Sequence, residues 1–321
     1  MLLAERIEFM KTFLCEYIHE KARKELESFS EIISDWNRLP ECDAAINRNL
    51  QMGREFLESA KNLKVIAMHG TGLDSIDLEA AKELGIQVFN VPYRNAASVA
   101  ELNVALMLMA ARKVRLIQNH LTEGNSFGNP AVFSDVQGYE LGGKTAAFIG
   151  VGEIAKKTIK ICKYGFDMKC IGWSRSLTKE KAEELGIEYA GSITEAVQNA
   201  DFVLMGMALT EETRGIIGEK EIAAMKQGAI FINIARGALV DEEVLRKALT
   251  EPFAGDQEDC PHLLAAGLDV VVDEPLTKDH PLYQLPNVVM TPHVGSNTEE
   301  ALYRVGMGVV EGIRERFDRI V

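Results

Sequence analysis

From Lys144 onward the apolar residues come in short runs separated by amphipathic stretches, and the alternation is regular. Thr145–Ile149, Lys169–Trp173, Phe202–Met205, Ala229–Ile234, 267–271 and Val288–Thr291 read as strands. Segments 153–164, 179–185, 219–225 and 241–249 read as helices between them. Such a rhythm predicts an α/β fold with a parallel sheet covered on both faces. Upstream, Lys64–His69 reads as a strand, Gly70-Thr71-Gly72 as a turn, 77–84 as a helix and Ile86–Asn90 as the next strand. A long helix is predicted from Ser98 to His120, apolar nearly all round at Leu102, Val104, Leu106 and Leu108 and re-exposed from Arg112. Residues 1–60 are weakly patterned, with a charged helix expected over 16–34. Thr250–Ala266 reads as a loop, long for a helix-to-strand connection.

A length of 321 residues, 47% hydrophobic, accommodates two domains. The net charge of −13 argues against general binding to nucleic acid or anionic membranes. The longest apolar run, Val104–Ala111, falls short of the roughly 20 residues of a spanning helix. Glu5, Arg6 and Glu8 interrupt any signal-peptide core. Five cysteines without a Cys-x-x-Cys pair fit reduced thiols in a cytoplasm. Cys260 and His262 are too few for a metal site, so no metal is expected.

Strand Thr145–Ile149 runs into Gly150-Val151-Gly152-Glu153-Ile154-Ala155 and a helix. The first glycine permits a tight turn, the second lets backbone approach a pyrophosphate, and the helix N-terminus supplies N–H donors. The next strand ends Trp173-Ser174-Arg175-Ser176, without the acid that normally binds the ribose hydroxyls of NAD. That favours NADP over NAD; an Arg175 stacked on adenine would suit either.

Three later strings carry acid–base chemistry: Asn-Ile-Ala-Arg-Gly (233–237), Asp-Val-Val-Val-Asp-Glu-Pro (269–275) and Thr-Pro-His (291–293). Arg236 suits bidentate binding of a 2-keto acid carboxylate, and His293 is a proton donor for its carbonyl. Glu274 suits the orienting of that ring in its protonated form. Singly, each is more often structural than catalytic; in order, they point to one site.

Together these segments resemble the D-isomer-specific 2-hydroxyacid dehydrogenases. The likeness runs from Lys64 to about residue 311 and includes Gly70-Thr71-Gly72-Leu73-Asp74, Asn90-Val91-Pro92, Glu140-Leu141-Gly142-Gly143-Lys144-Thr145 and Leu209-Thr210-Glu211-Glu212-Thr213. The resemblance implies two Rossmann-like domains. One is a flavodoxin-like substrate domain, 1–94 and 293–321; the other is a central doubly wound nucleotide domain, 95–292. It implies Arg236, Glu274 and His293 as catalytic residues, and Gly70, Thr71 and Gly72 as the loop binding the substrate carboxylate. Around the cofactor it implies Val99, Gly150, Gly152, Glu153, Ile154, Ser174, Arg175 and Ser176. It adds Met207, Ala208, Thr213, Ile234, Ala235, Asp269, His293 and Gly295. A homodimer through 98–135 is also implied. Ala155 in place of a glycine, Ala208 in place of a proline, and the long 250–266 stretch depart from the pattern.

The leading expectation is an NADPH-preferring reductase of a small 2-keto acid, of glyoxylate, hydroxypyruvate or pyruvate size. A 3-phosphoglycerate dehydrogenase-like enzyme is the alternative, although no extra C-terminal regulatory domain is expected. A dinucleotide-sensing corepressor-type scaffold is a further one, disfavoured because no interaction tail flanks the domains. Arg94 could read a second acidic group or a phosphate of the substrate, or be a solvated or interdomain arginine. His69 could shape the pocket or be a satisfied core residue.

Overall fold

The computed structural model describes residues 9–125 and 127–320; Glu5, Arg6 and Glu8 lie outside them. The chain divides into two compact units, one of residues 1–95 and 296–321, the other of 96–295.

In the first unit five parallel strands, β1 (Met10–Leu14), β2 (Ser30–Ile33), β3 (Ala44–Asn47), β4 (Val65–Met68) and β5 (Gln87–Asn90), stand in the order β2-β1-β3-β4-β5. This is the flavodoxin-like order. One face is covered by helices Glu20–Glu27 and Glu299–Ile320, which meet through Ala22, Leu26, Val305 and Val309. A Cβ at Gly306 would lie 2.8 Å from that of Ala22, so glycine sets how closely these helices approach. The other face buries Phe13, Ile66, Leu57 and Ala80. The helix expected over 16–34 is a correction: it spans only Glu20–Glu27 and is followed by β2. The Ser28 hydroxyl donates to the Glu25 carbonyl at the helix end, and Ser30 joins Thr12 across β1 and β2 at 2.8 Å. Pairing with β1, a long-range contact, overrode the local charge pattern.

The second unit holds seven parallel strands: β6 (Thr145–Ile149), β7 (Lys169–Trp173), β8 (Glu188–Tyr189), β9 (Phe202–Met205), β10 (Ala229–Asn233), β11 (Leu263–Leu268) and β12 (Val288–Met290). Their order is β12-β11-β10-β9-β6-β7-β8, so the direction of winding reverses between β6 and β9. The crevice outside the carboxyl ends at such a switch point is where doubly wound sheets bind ligands. Helices Ala96–Ala111 and Glu153–Phe166 cover one face, and Ile193–Val197, Glu219–Ala223 and Glu242–Ala248 the other.

Two further expectations are corrected here. The helix drawn from Ser98 to His120 is two helices, Ala96–Ala111 and Val114–Thr122, parted at Lys113 with φ 51°. The Ala111 carbonyl accepts from the Tyr139 N–H at 2.9 Å, and the Lys113 Nζ reaches the Asp135 carbonyl at 2.8 Å. The returning chain thus ends the first helix. The strand expected at 267–271 is β11 at Leu263–Leu268, because the chain turns at Asp269 while Val270 and Val271 stay buried. No helix among the described residues is long and apolar enough to cross a membrane.

The stretch before β11 is held by His262, which is 3% exposed. Its Nδ1 meets Asp256 Oδ2 and its Nε2 the Ile222 carbonyl, both at 2.8 Å, and the ring stacks on Phe253. The His262→Leu variant should lose about 1–2 kcal/mol, because Asp256 and the Ile222 carbonyl each lose one donor and keep only the Phe253 and Met225 N–H groups. A urea midpoint equal to that of the parent protein would refute this anchoring role.

Candidate active site

Three chain segments converge at the switch point. β6 ends at Ile149, and Gly150 turns with φ 99°. Its N–H donates to the Trp173 carbonyl at 2.7 Å, while the Gly206 N–H donates to the Ile149 carbonyl at 2.8 Å. A Cβ on Gly150 would stand 2.5 Å from the Gly206 carbonyl oxygen, so only glycine fits. Gly152 begins the helix Glu153–Phe166 without a side-chain cap and with open space where a Cβ would be. Its first-turn N–H groups are therefore left to a ligand, a cradle that fits a pyrophosphate. Glu153 pairs with Lys156 at 2.6 Å, Ile154 is half-buried, and the Ala155 methyl is buried in the core beneath.

Ser174, Arg175 and Ser176 follow β7, and Met207 and Ala208 follow β9. The Thr213 hydroxyl donates to the Ala208 carbonyl and accepts from the Thr210 N–H, both at 2.8 Å, which fixes the shape of this loop. Arg175 Nη1 meets Glu212 Oε2 at 2.6 Å.

Arg236, Glu274 and His293 follow β10, β11 and β12, three neighbours in the sheet. After β10, Ile234 is buried, and the Asn233 side chain accepts from the Ala235 N–H and donates to the Arg236 carbonyl at 2.9 Å. Arg236 Nη1 donates to the Ala235 carbonyl at 2.7 Å. Next comes Gly237, where a Cβ would overlap the Val271 carbonyl carbon; the arginine turn and the turn leading to Glu274 are packed backbone to backbone. Glu242 holds the far side of that second turn, accepting from the Val272 N–H at 2.7 Å and lying 3.5 Å from His280 Nε2.

His293 Nδ1 lies 2.8 Å from Glu274 Oε2, with each side chain about a third exposed (33% and 33%). A carboxylate on Nδ1 makes that nitrogen the donor and leaves Nε2 to face a reactant. The backbone of His293 is left-handed, φ 53°, a conformation costing about 1–3 kcal/mol in a non-glycine residue. Asp269 imposes it. Its carboxylate accepts from Thr291 Oγ1 at 2.6 Å and from the Val294 and Gly295 N–H groups at 2.8 Å, while its carbonyl accepts from the His293 N–H at 2.7 Å. Burial raises the Asp269 carboxyl above its ordinary range, and these donors pull the other way. Gly295 packs on Val99, and its carbonyl accepts from the Ser98 hydroxyl at 2.6 Å.

In the first unit, Gly70, Thr71 and Gly72 follow β4. The Gly70 N–H is committed to the Met68 carbonyl at 2.9 Å, which leaves Thr71 and Gly72 as the donors of this turn. His69 is 5% exposed, with the Leu302 backbone facing its ring. Burial and the Arg48 charge lower its pKa to about 4. Arg94 is docked on helix Glu299–Ile320: Nη1 donates to the Arg304 carbonyl at 3.2 Å and Nη2 lies 3.4 Å from Glu311.

Residues 104–295 match the family described as D-isomer specific 2-hydroxyacid dehydrogenase, NAD binding domain. A hydroxypyruvate reductase of Thermotoga maritima is 39% identical over 297 residues, which cover 91% of each chain. The chain belongs to the D-isomer-specific 2-hydroxyacid dehydrogenases. Among other members, a D-3-phosphoglycerate dehydrogenase of Methanocaldococcus jannaschii is 38% identical over 95% of this chain. The chain spans 57% of that relative and 49% of its Archaeoglobus fulgidus counterpart, about half their length. A glyoxylate reductase of Paecilomyes thermophila superposes with a TM-score of 0.79 at 27% identity, covering 96% of this chain and 95% of that one.

Glu212 and Glu242 were not singled out in the sequence. Nothing local marks either one, because Arg175 and Val272, which they bind, lie 37 and 30 positions away.

Gly237→Ala should cost about 3 kcal/mol or more, since backbone must move to admit the methyl, and turnover should fall with it. A thermal midpoint and rate matching the parent would show the two turns to be independent. For His69 the folded pKa lies below the unfolded value, so the neutral ring stabilises the fold above about pH 6.5. That contribution is lost as pH falls from about 6.5 toward about 4. The stability difference between His69→Gln and the parent should therefore shrink across that window, and a pH-independent difference would rule out the buried neutral ring.

Proposed function

We propose that this protein passes a hydride between a nicotinamide dinucleotide, NADPH in preference to NADH, and a small 2-keto acid or D-2-hydroxy acid. The observation that carries the proposal is the His293–Glu274 pair at 2.8 Å, on the carboxyl edge that also bears Arg236 and the glycine turn. The second unit is the dinucleotide domain of this reading, and the first unit is the substrate domain. A bound nicotinamide supplies the hydride. Gly150, Gly152, Glu153 and Ile154 hold the pyrophosphate, and Ser174, Arg175 and Ser176 the adenosine ribose. Val99, Met207, Ala208, Thr213, Ile234, Ala235, Asp269 and Gly295 border the rest of the dinucleotide. Arg236 binds the substrate carboxylate, as do the Thr71 and Gly72 N–H groups of the Gly70-Thr71-Gly72 turn. In reduction, His293 Nε2 gives its proton to the carbonyl oxygen while Glu274 keeps Nδ1–H oriented.

The Thermotoga relative and the glyoxylate reductase favour a glyoxylate- or hydroxypyruvate-sized substrate. The Methanocaldococcus relative supports a 3-phosphoglycerate dehydrogenase-like alternative. A homodimer through 98–135 fits helix Val114–Thr122, which buries no residue, and the exposed Leu121 and Phe133. Five unpaired cysteines suit a reducing, cytoplasmic setting.

Initial rates with NADPH and NADH against glyoxylate, hydroxypyruvate and pyruvate, and with NADP+ and NAD+ against 3-phosphoglycerate, test the proposal. His293→Ala should lower kcat by about 100- to 10,000-fold, the usual contribution of a general acid. Tight dinucleotide binding with no turnover would point instead to the scaffold alternative, and turnover confined to 3-phosphoglycerate to the phosphoglycerate one.

A further inference from the structure

The end of β7 lacks the acid that usually accepts from the ribose hydroxyls of NAD, and Arg175 stands in that region instead. Taken alone, Arg175 is a ready partner for a 2′-phosphate. It is not alone. Glu212, from the loop after β9, meets its guanidinium at 2.6 Å. In the sheet β6 lies between β7 and β9, so this ion pair spans the strand that carries the Gly150–Gly152 turn. The Glu212 side of the span is braced from within, because the Thr213 hydroxyl ties its loop to Ala208 and Thr210.

We propose that Glu212 sets how sharply this protein discriminates NADPH from NADH, by competing with the 2′-phosphate for Arg175 and by supplying the carboxylate that β7 lacks. With NADH bound, the pair stays closed and Glu212 accepts from the ribose hydroxyls. With NADPH bound, Arg175 exchanges one anion for another, and Glu212 is left beside a phosphate of like charge. Both side chains are well exposed, 65% and 77%, so water and salt permit that exchange. The preference given to NADPH by Ser174-Arg175-Ser176 is thereby restrained, and both dinucleotides remain usable. This inference rests on the reading of the second unit as a dinucleotide domain.

The test is calorimetric titration of NADP+ and NAD+ into the intact parent protein and into Glu212→Gln, Arg175→Ala and Glu211→Gln. In Glu212→Gln the ratio of the NAD+ Kd to the NADP+ Kd should rise about three- to tenfold, the scale expected when a single exposed charge pair is made or relieved. In Arg175→Ala the ratio should fall below that of the parent. Glu211→Gln removes the same charge one residue away while leaving the pair intact, and should move the ratio much less. An unchanged ratio in Glu212→Gln overturns the inference, as does an equal rise in Glu211→Gln, which would mean a general field rather than a competing partner. Absence of binding by either dinucleotide would overturn the dinucleotide reading itself, and this inference with it. Binding of both with an unmoved ratio overturns this inference alone.

Discussion

Much of the candidate site depends on one buried carboxylate. Asp269 ends the β11 side of the sheet at 2% exposure and gathers the hydroxyl of Thr291 and the N–H groups of Val294 and Gly295. Burying an anion is costly unless donors surround it. Here the donors come from the one loop that must be held still. The result is a histidine in a left-handed conformation with its Nδ1 on Glu274. The strain at His293 and the desolvation at Asp269 are thus two aspects of one arrangement.

The same economy of backbone recurs along the carboxyl edge. Gly150 admits the Gly206 carbonyl, and Gly237 admits Val271, so turns that carry different functions touch through main chain rather than side chain. Main chain has fewer ways to rearrange than side chain, and positions set by it are correspondingly rigid. Asn233 and Glu242 complete the bracing, one inside the arginine turn and one behind the carboxylate turn. Neither Asn233 nor Glu242 is a candidate for touching a reactant. They brace the turns that carry Arg236 and Glu274, which the strand order sets side by side.

Much of this was legible in the sequence. β6, β7 and β9 fall at the residues where apolar runs predict them, because a strand buried on both faces has little choice of composition. The order of the arginine, glutamate and histidine strings located the candidate trio. The N-terminal region was opaque for a physical reason: β1, β2 and β3 are four or five residues long, and β2 is defined by pairing with a strand 20 positions earlier. The helix break at Lys113 was equally hidden, since its cause is a chain returning at Tyr139. Arg175 was visible at the end of β7 but its partner was not, and a residue's chemistry depends on what faces it.

The five thiols are far from equivalent. Burial pushes Cys15 and Cys162 up to about 12 and Cys42 and Cys170 up to about 11, so at neutral pH they are protonated and poorly nucleophilic. Cys260 is the exposed one. It stands just before the His262 anchor, in a segment fastened to Gln227. A fluorophore or spin label carried on a maleimide would therefore settle at one place, without mutagenesis, and report from the stretch that leads into β11.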